Sequence, residues 1–71
     1  MSERHDTEAE AIGNEIRDMR KHYMLTQQQL AEMAGISDRT LRDIEKGTGT
    51  PSLGTVLTVL ETLGLRAEVH R

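Results

Sequence analysis

Apolar residues recur along the chain at helical spacing in four runs, with polar punctuation between them. Ile12, Ile16, Met19 and Tyr23 stand at i, i+4, i+7 and i+11, one stripe of an amphipathic helix that the pattern places near 9–22. Leu30, Ala34, Ile36, Leu41 and Ile44 are spaced so that the inward faces of two short helices, near 27–34 and 38–46, share one small core, with Ala31 permitting close approach. Leu53, Val56, Leu57, Leu60 and Leu63 form a wide stripe on a fourth helix near 53–63, and Val59 sits beside it. After Gly64 the period drops to two: Leu65, Ala67 and Val69 alternate with Arg66, Glu68 and His70, which suits a half-buried strand near 66–70. The expected fold is therefore all-α, a bundle of four main helices with a short C-terminal β-strand.

The punctuation supports these boundaries. Thr26 and Ser37 are N-cap residues for the second and third helices, and Gly35 and Gly47 follow them where positive φ ends a helix. Leu25 gives a staple-like contact just outside the second helix. Thr48 to Ser52 is a polar turn containing Gly49 and Pro51, and Ser52 or Pro51 begins the fourth helix. Gly54 inside that helix costs about 1 kcal/mol relative to Ala, so a close backbone neighbour is expected there. Met1 to Thr7 shows no apolar period. The expected organisation is a disordered tail over 1–7, a helix-turn-helix domain over 8–64, and a dimerisation strand over 65–71.

Two short capped helices joined by a glycine corner suggest a use for the outward face of the second of them. That face presents Ser37, Asp38, Arg39, Arg42, Asp43 and Lys46 from a helix about 10 to 12 Å wide, which fits a DNA major groove roughly 12 Å across. Charged runs on small helical domains are usually ordinary solvated faces, and it is the two closely placed caps that favour DNA here. Recognition helices meet base edges with their N-terminal residues. Ser37, Asp38, Arg39 and, one turn on, Arg42 and Asp43 are therefore the base-reading candidates, and Thr40 is placed to touch a thymine methyl. Arg39 is the first choice, because its fork spans guanine O6 and N7; Asp38 accepts from cytosine N4 or orients Arg39. Gln27 and Lys46 are assigned to phosphate, and Arg42 suits either purpose. Gln28 and Gln29 read as solvated.

From Thr26 to Gly47 the chain carries Thr-Gln-x-x-Leu-Ala-x-x-x-Gly-Ile-Ser-x-x-Thr-Leu-x-x-Ile-Glu-x-Gly. This resembles the phage-repressor/Cro type (XRE) of helix-turn-helix regulators, and the likeness extends over nearly everything from Ile12 to Leu65. It implies a lambda-repressor-like helical bundle that binds double-stranded DNA. It also implies that Gln27 meets phosphate, and that the basic end of the first helix lies near the DNA backbone, bringing Arg17, Arg20 or Lys21 within reach of it. The terminal alternation departs from phage repressors and is similar to the antitoxins of Hip-type toxin–antitoxin modules. That likeness implies a chain that represses its own operon and binds a kinase toxin.

Composition narrows the alternatives. Seventy-one residues make one domain, and a single aromatic residue, Tyr23, makes its core aliphatic. Without cysteine there is no disulfide, thiol nucleophile or cysteine zinc site, and a reducing cytoplasm fits. No apolar run approaches the ~20 residues of a membrane span, and the first residues lack the apolar core of a signal peptide. His5, His22 and His70 are scattered, with no i, i+4 ligand pair, and Ser37 has no neighbouring His. Neither a catalytic site, a metal site nor a cofactor is expected.

The formal charge of −3 argues at first against nucleic acid, since Lys and Arg on phosphate dominate non-specific affinity. Its distribution softens the objection. Residues 1–16 carry five acids and one Arg, residues 17–46 six bases and five acids, and residues 47–71 two of each. A reading head at +1 should bind non-specifically only weakly and rely on a second copy. The lone strand offers that copy: its unpaired edge is satisfied by the same strand of another protomer, through Leu65, Ala67 and Val69, in an isologous ribbon that implies an inverted-repeat operator. A frayed tail is the plain alternative. Three functions remain open: a dimeric repressor of Hip-antitoxin kind, a stand-alone regulator without a toxin, and a protein-interaction adaptor on a helix-turn-helix scaffold.

Overall fold

The computed structural model describes residues 3–65, with side chains from Glu8 onward. They form α1 (Glu3–His22), α2 (Gln27–Ala34), α3 (Asp38–Lys46) and α4 (Leu53–Thr62), with no strand among the described residues. α2 and α3 have the bounds expected from their caps, and α4 ends one residue sooner. α1 begins at Glu3, inside the stretch expected to be a tail. The added residues 3–8 lie upstream of the apolar stripe that begins at Ile12, so periodicity gave no signal for them. The expected strand near 66–70 lies outside the described residues.

All four helices end by one device. A residue two or three past the helix end donates its N–H back to a carbonyl five residues earlier: Leu25 to Arg20 (3.0 Å), Ile36 to Ala31 (2.9 Å), Thr48 to Asp43 (2.9 Å) and Leu65 to Leu60 (2.8 Å). This pattern requires a left-handed residue just before the donor. Gly35, Gly47 and Gly64 fill that place with φ of 73°, 74° and 76°, and Met24 fills it after α1 with φ of 61°. Leu25, Ile36 and Leu65 then fold onto the core, which turns the chain sharply after α1, α2 and α4. Thr26, Ser37 and Ser52 cap the following helices, each side-chain oxygen accepting from the backbone N–H three residues on.

The core joins Ile16 of α1, Leu30 and Ala31 of α2, Leu41 and Ile44 of α3, and Val59, Leu60 and Leu63 of the α4 end. α1 packs on α3, and α2 lies against both α3 and α4. Val59, expected beside the stripe, is fully buried, whereas Leu53 is 73 % exposed. The buried face of α4 is set by Val59, Leu60 and Leu63 at i, i+1 and i+4, and Leu53 stands at its first position, ahead of the turns that pack. Ile12 and Tyr23, at the two ends of the α1 stripe, are about half exposed.

Gly54 has no close neighbour: an added Cβ would find only the Ser52 Oγ, at 4.0 Å. The expected close approach occurs instead at Gly13. A Cβ there would fall on the Ile44 carbonyl oxygen and 2.5 Å from that of Glu45, so α1 crosses the end of α3 with backbone against backbone.

Candidate nucleic-acid interface

α3 presents the candidate reading face. Ser37 caps it, its Oγ accepting from the Thr40 N–H at 3.1 Å and donating to the Thr40 Oγ1 at 2.9 Å, so the first turn is closed at its start. Asp38, Arg39, Arg42 and Lys46 are exposed, and Arg39, Arg42 and Lys46 fall at i, i+3 and i+7 on one side of the helix. Leu41, Ile44 and Glu45 occupy the opposite, buried side. Thr40 and Asp43 are half-buried. Asp43 lies against Gly49, where an added Cβ would be 3.3 Å from its Oδ2, and the Asp43 carbonyl accepts from Thr48. It therefore braces the turn after α3 and is less free than Asp38 or Arg39.

The corner that aims α3 is held by a cluster that sequence reasoning missed. Arg20 of α1 makes a two-pronged ion pair with Glu45 of α3: Nε to Oε2 at 2.7 Å and Nη2 to Oε1 at 3.1 Å. Its Nη1 donates to the Leu25 carbonyl at 2.9 Å, and Gln27 Nε2 donates to Glu45 Oε1 at 3.1 Å. Both charged residues are buried, at 8 % and 4 % exposure, and no buried side-chain polar atom among the described residues lacks a partner. Three helices thus meet on one carboxylate. The signal was present: Arg20 follows Ile16 by four residues on the apolar stripe of α1, and Glu45 follows Leu41 by four on that of α3. A charge on an apolar stripe calls for a buried partner.

This cluster alters two assignments. Arg20, one of three cations placed near phosphate, is committed to Glu45 and is not presented to solvent. Gln27 is half-buried with one amide N–H on Glu45, and an amide carries two, so one donor remains for a phosphate. Arg17 is exposed, its Nη2 donating to Asn14 Oδ1 at 3.1 Å, and Lys21 is exposed at the end of α1. Gln29, read as solvated, closes a capping box: its N–H donates to Thr26 Oγ1 at 3.0 Å, and its Oε1 accepts from the Thr26 N–H at 2.8 Å. The Thr-x-x-Gln spacing was the legible sign of it.

Of the residues expected at a dimer contact, Leu65 is half-buried on its own core, while Ala67 and Val69 lie outside the described residues. Among the described residues no group of His, Asp and Glu is placed to hold a metal ion, and no helix is long and apolar enough to cross a membrane.

Residues 16–69 match the family described as helix-turn-helix. An HTH-type transcriptional regulator of Sinorhizobium fredii is 41 % identical over 69 residues, covering 97 % of this chain and 90 % of the relative. The immunity repressor protein of Bacillus phage phi105 is 44 % identical over 55 residues, 78 % of this chain but only 38 % of that protein. An HTH-type transcriptional regulator of Methanothermobacter thermautotrophicus is 41 % identical over 49 residues, covering 69 % of this chain and 71 % of its own. The chain belongs to the XRE-type helix-turn-helix family, and its kind is a DNA-binding regulator rather than an enzyme.

Proposed function

We propose that this protein is a sequence-specific transcriptional repressor that binds an inverted-repeat operator in the cytoplasm as a homodimer, with α3 in the major groove. The observation that carries the reading is the exposed, capped start of α3, with Asp38, Arg39 and Arg42 outward, on a helix fixed by the Arg20–Glu45 pair. Ser37, Asp38, Arg39, Thr40 and Arg42 read bases, and Asp43 contributes from its braced position. Gln27, Lys46 and Arg17 hold phosphate, Gln27 through its second amide N–H. The name of the phage relative, an immunity repressor, favours repression over activation.

The two contact types separate by mutation. Arg39→Ala should weaken operator binding by about 1 to 3 kcal/mol and relax preference at one base pair. Lys46→Ala should weaken every DNA alike and flatten the dependence on salt. Fluorescence anisotropy on the operator and its single-base variants reads both. Uniform loss across all sequences in Arg39→Ala would make Arg39 a backbone contact and refute its reading role.

Dimerisation is assigned to the alternating segment from Leu65 through Val69. Since Leu65 already packs on its own core, the informative truncation keeps it and removes 66–71. Sedimentation should then show monomers; an undiminished dimer would move the interface elsewhere. The same segment carries the antitoxin reading, in which the dimer represses its own operon and binds a Hip-type kinase toxin. A kinase-like gene adjoining this one, whose product co-purifies with the chain, is the expected finding. Its absence would leave a stand-alone regulator.

A further inference from the structure

We infer that Glu45 is a positioning residue for DNA: its carboxylate holds the Gln27 amide in one orientation, so that the second amide N–H is set for a phosphate before DNA arrives. The inference rests on the DNA-binding reading above and gives a role in it to a buried residue that itself touches no DNA.

The carboxylate is shared unevenly. Glu45 Oε2 takes one donor, Arg20 Nε at 2.7 Å, whereas Oε1 takes two, Arg20 Nη2 and Gln27 Nε2, each at 3.1 Å. A carboxylate oxygen offers about two lone-pair sites, so Oε1 is filled and each of its donors is held in place by the other. The Glu45 side chain is 2 % exposed and the Arg20 side chain 10 %, so water does not compete for these bonds. Arg20 also holds the Leu25 carbonyl at 2.9 Å, two residues ahead of Gln27. The backbone entering α2 and the first side chain of α2 are thus pinned to one group on α3.

Stability alone does not call for that arrangement. An apolar pair of similar volume often replaces a buried ion pair without loss, and a half-buried glutamine can be satisfied by water. What the third partner adds is direction. Gln27 Oε1 makes no hydrogen bond among the described residues, and no buried side-chain polar atom there lacks one, so the outer edge of the amide meets solvent. One end of a planar group is anchored inside and the other faces out. A side chain so held has lost its rotamer freedom on folding, and a phosphate that meets it incurs little further ordering cost. Glu45 also lies one turn beyond Arg42, so the same bond fixes the phosphate contact on α2 relative to the base-reading face of α3.

A mutant cycle separates positioning from mere support of the fold. Binding is measured by anisotropy on the duplex selected from a random pool, for the parent, Gln27→Ala, Arg20→Met with Glu45→Met, and all three together. Gln27→Ala should weaken binding about tenfold, the scale of one charge-assisted hydrogen bond. The Met pair should weaken it about three- to tenfold in the parent, yet less than about twofold where Gln27 is already Ala. Neither change should alter the dependence on salt, because Gln27 is neutral and the Arg20–Glu45 pair carries no net charge. The parent supplies a second readout by NMR of the isotope-labelled chain. The side-chain amide protons of Gln27, identified by their loss in Gln27→Ala, should stand apart from those of exposed Gln28, and one of the two should move when the duplex is added. Met-pair losses equal in both backgrounds, or Gln27 amide signals coincident with those of Gln28, would overturn the positioning role and leave the DNA-binding reading intact. Unchanged binding in Gln27→Ala would remove Gln27 from the interface and this inference with it. A parent that binds no DNA would overturn the reading itself.

Discussion

Arg20→Ala should destabilise the fold by about 3 to 5 kcal/mol, because it strands the Glu45 carboxylate in a buried site. Glu45 is 4 % exposed and would keep only Gln27 as partner, so the loss exceeds what any surface ion pair would show. A domain of this size draws on a total of about 5 to 15 kcal/mol, so the variant should melt far below the parent or fail to fold at ordinary temperature. Circular dichroism against temperature and urea measures it. The double replacement Arg20→Met with Glu45→Met removes both charges and should recover most of the stability, since apolar pairs of similar volume often substitute for a buried ion pair without loss. A cost below about 1 kcal/mol for Arg20→Ala would mean that the pair does not close in solution.

The second large effect is steric. Gly13→Ala gains about 1 kcal/mol of helix propensity, yet its methyl would overlap the carbonyl oxygens of Ile44 and Glu45, which are backbone and cannot rotate away. A net loss of about 1 to 3 kcal/mol is expected, and more for Gly13→Val. Gly54→Ala meets nothing nearer than the Ser52 Oγ and should be neutral or stabilising by up to about 1 kcal/mol. The two glycines share a residue type and a helical setting, so urea denaturation of both variants isolates the effect of neighbours. Equal shifts would contradict the close crossing of α1 and α3.

The contrast between these glycines shows what was legible in the sequence. The ends of α2 and α3 were readable because each is written locally, in Thr26, Gly35, Ser37 and Gly47, and local chemistry fixes them before any packing. The start of α1 was not, because periodicity registers only helices that bury a face, and the residues from Glu3 to Glu8 carry no apolar period. Gly13 and Gly54 were indistinguishable along the chain, since the distinction lies in which backbone crosses them. Arg20 and Glu45 were partly legible, as charges on apolar stripes, but their pairing spans 25 residues and depends on the crossing that Gly13 allows. The reading face of α3 was legible as an exposed polar helix. That Asp43 braces Gly49 and Gln27 is tethered to Glu45 followed only from the packed corner.

Selection from a random double-stranded pool, followed by anisotropy titration of the recovered sites, tests most directly whether α3 reads DNA sequence. Recovered sites should carry two inverted half-sites with centres about 34 to 36 Å apart, or a multiple of that. They should bind at least about 10³-fold more tightly than scrambled DNA at physiological salt, with affinity falling steeply as salt rises. A pool that yields no common sequence, with equal affinity for every DNA or none, would contradict the account and favour a protein-binding adaptor on the same scaffold.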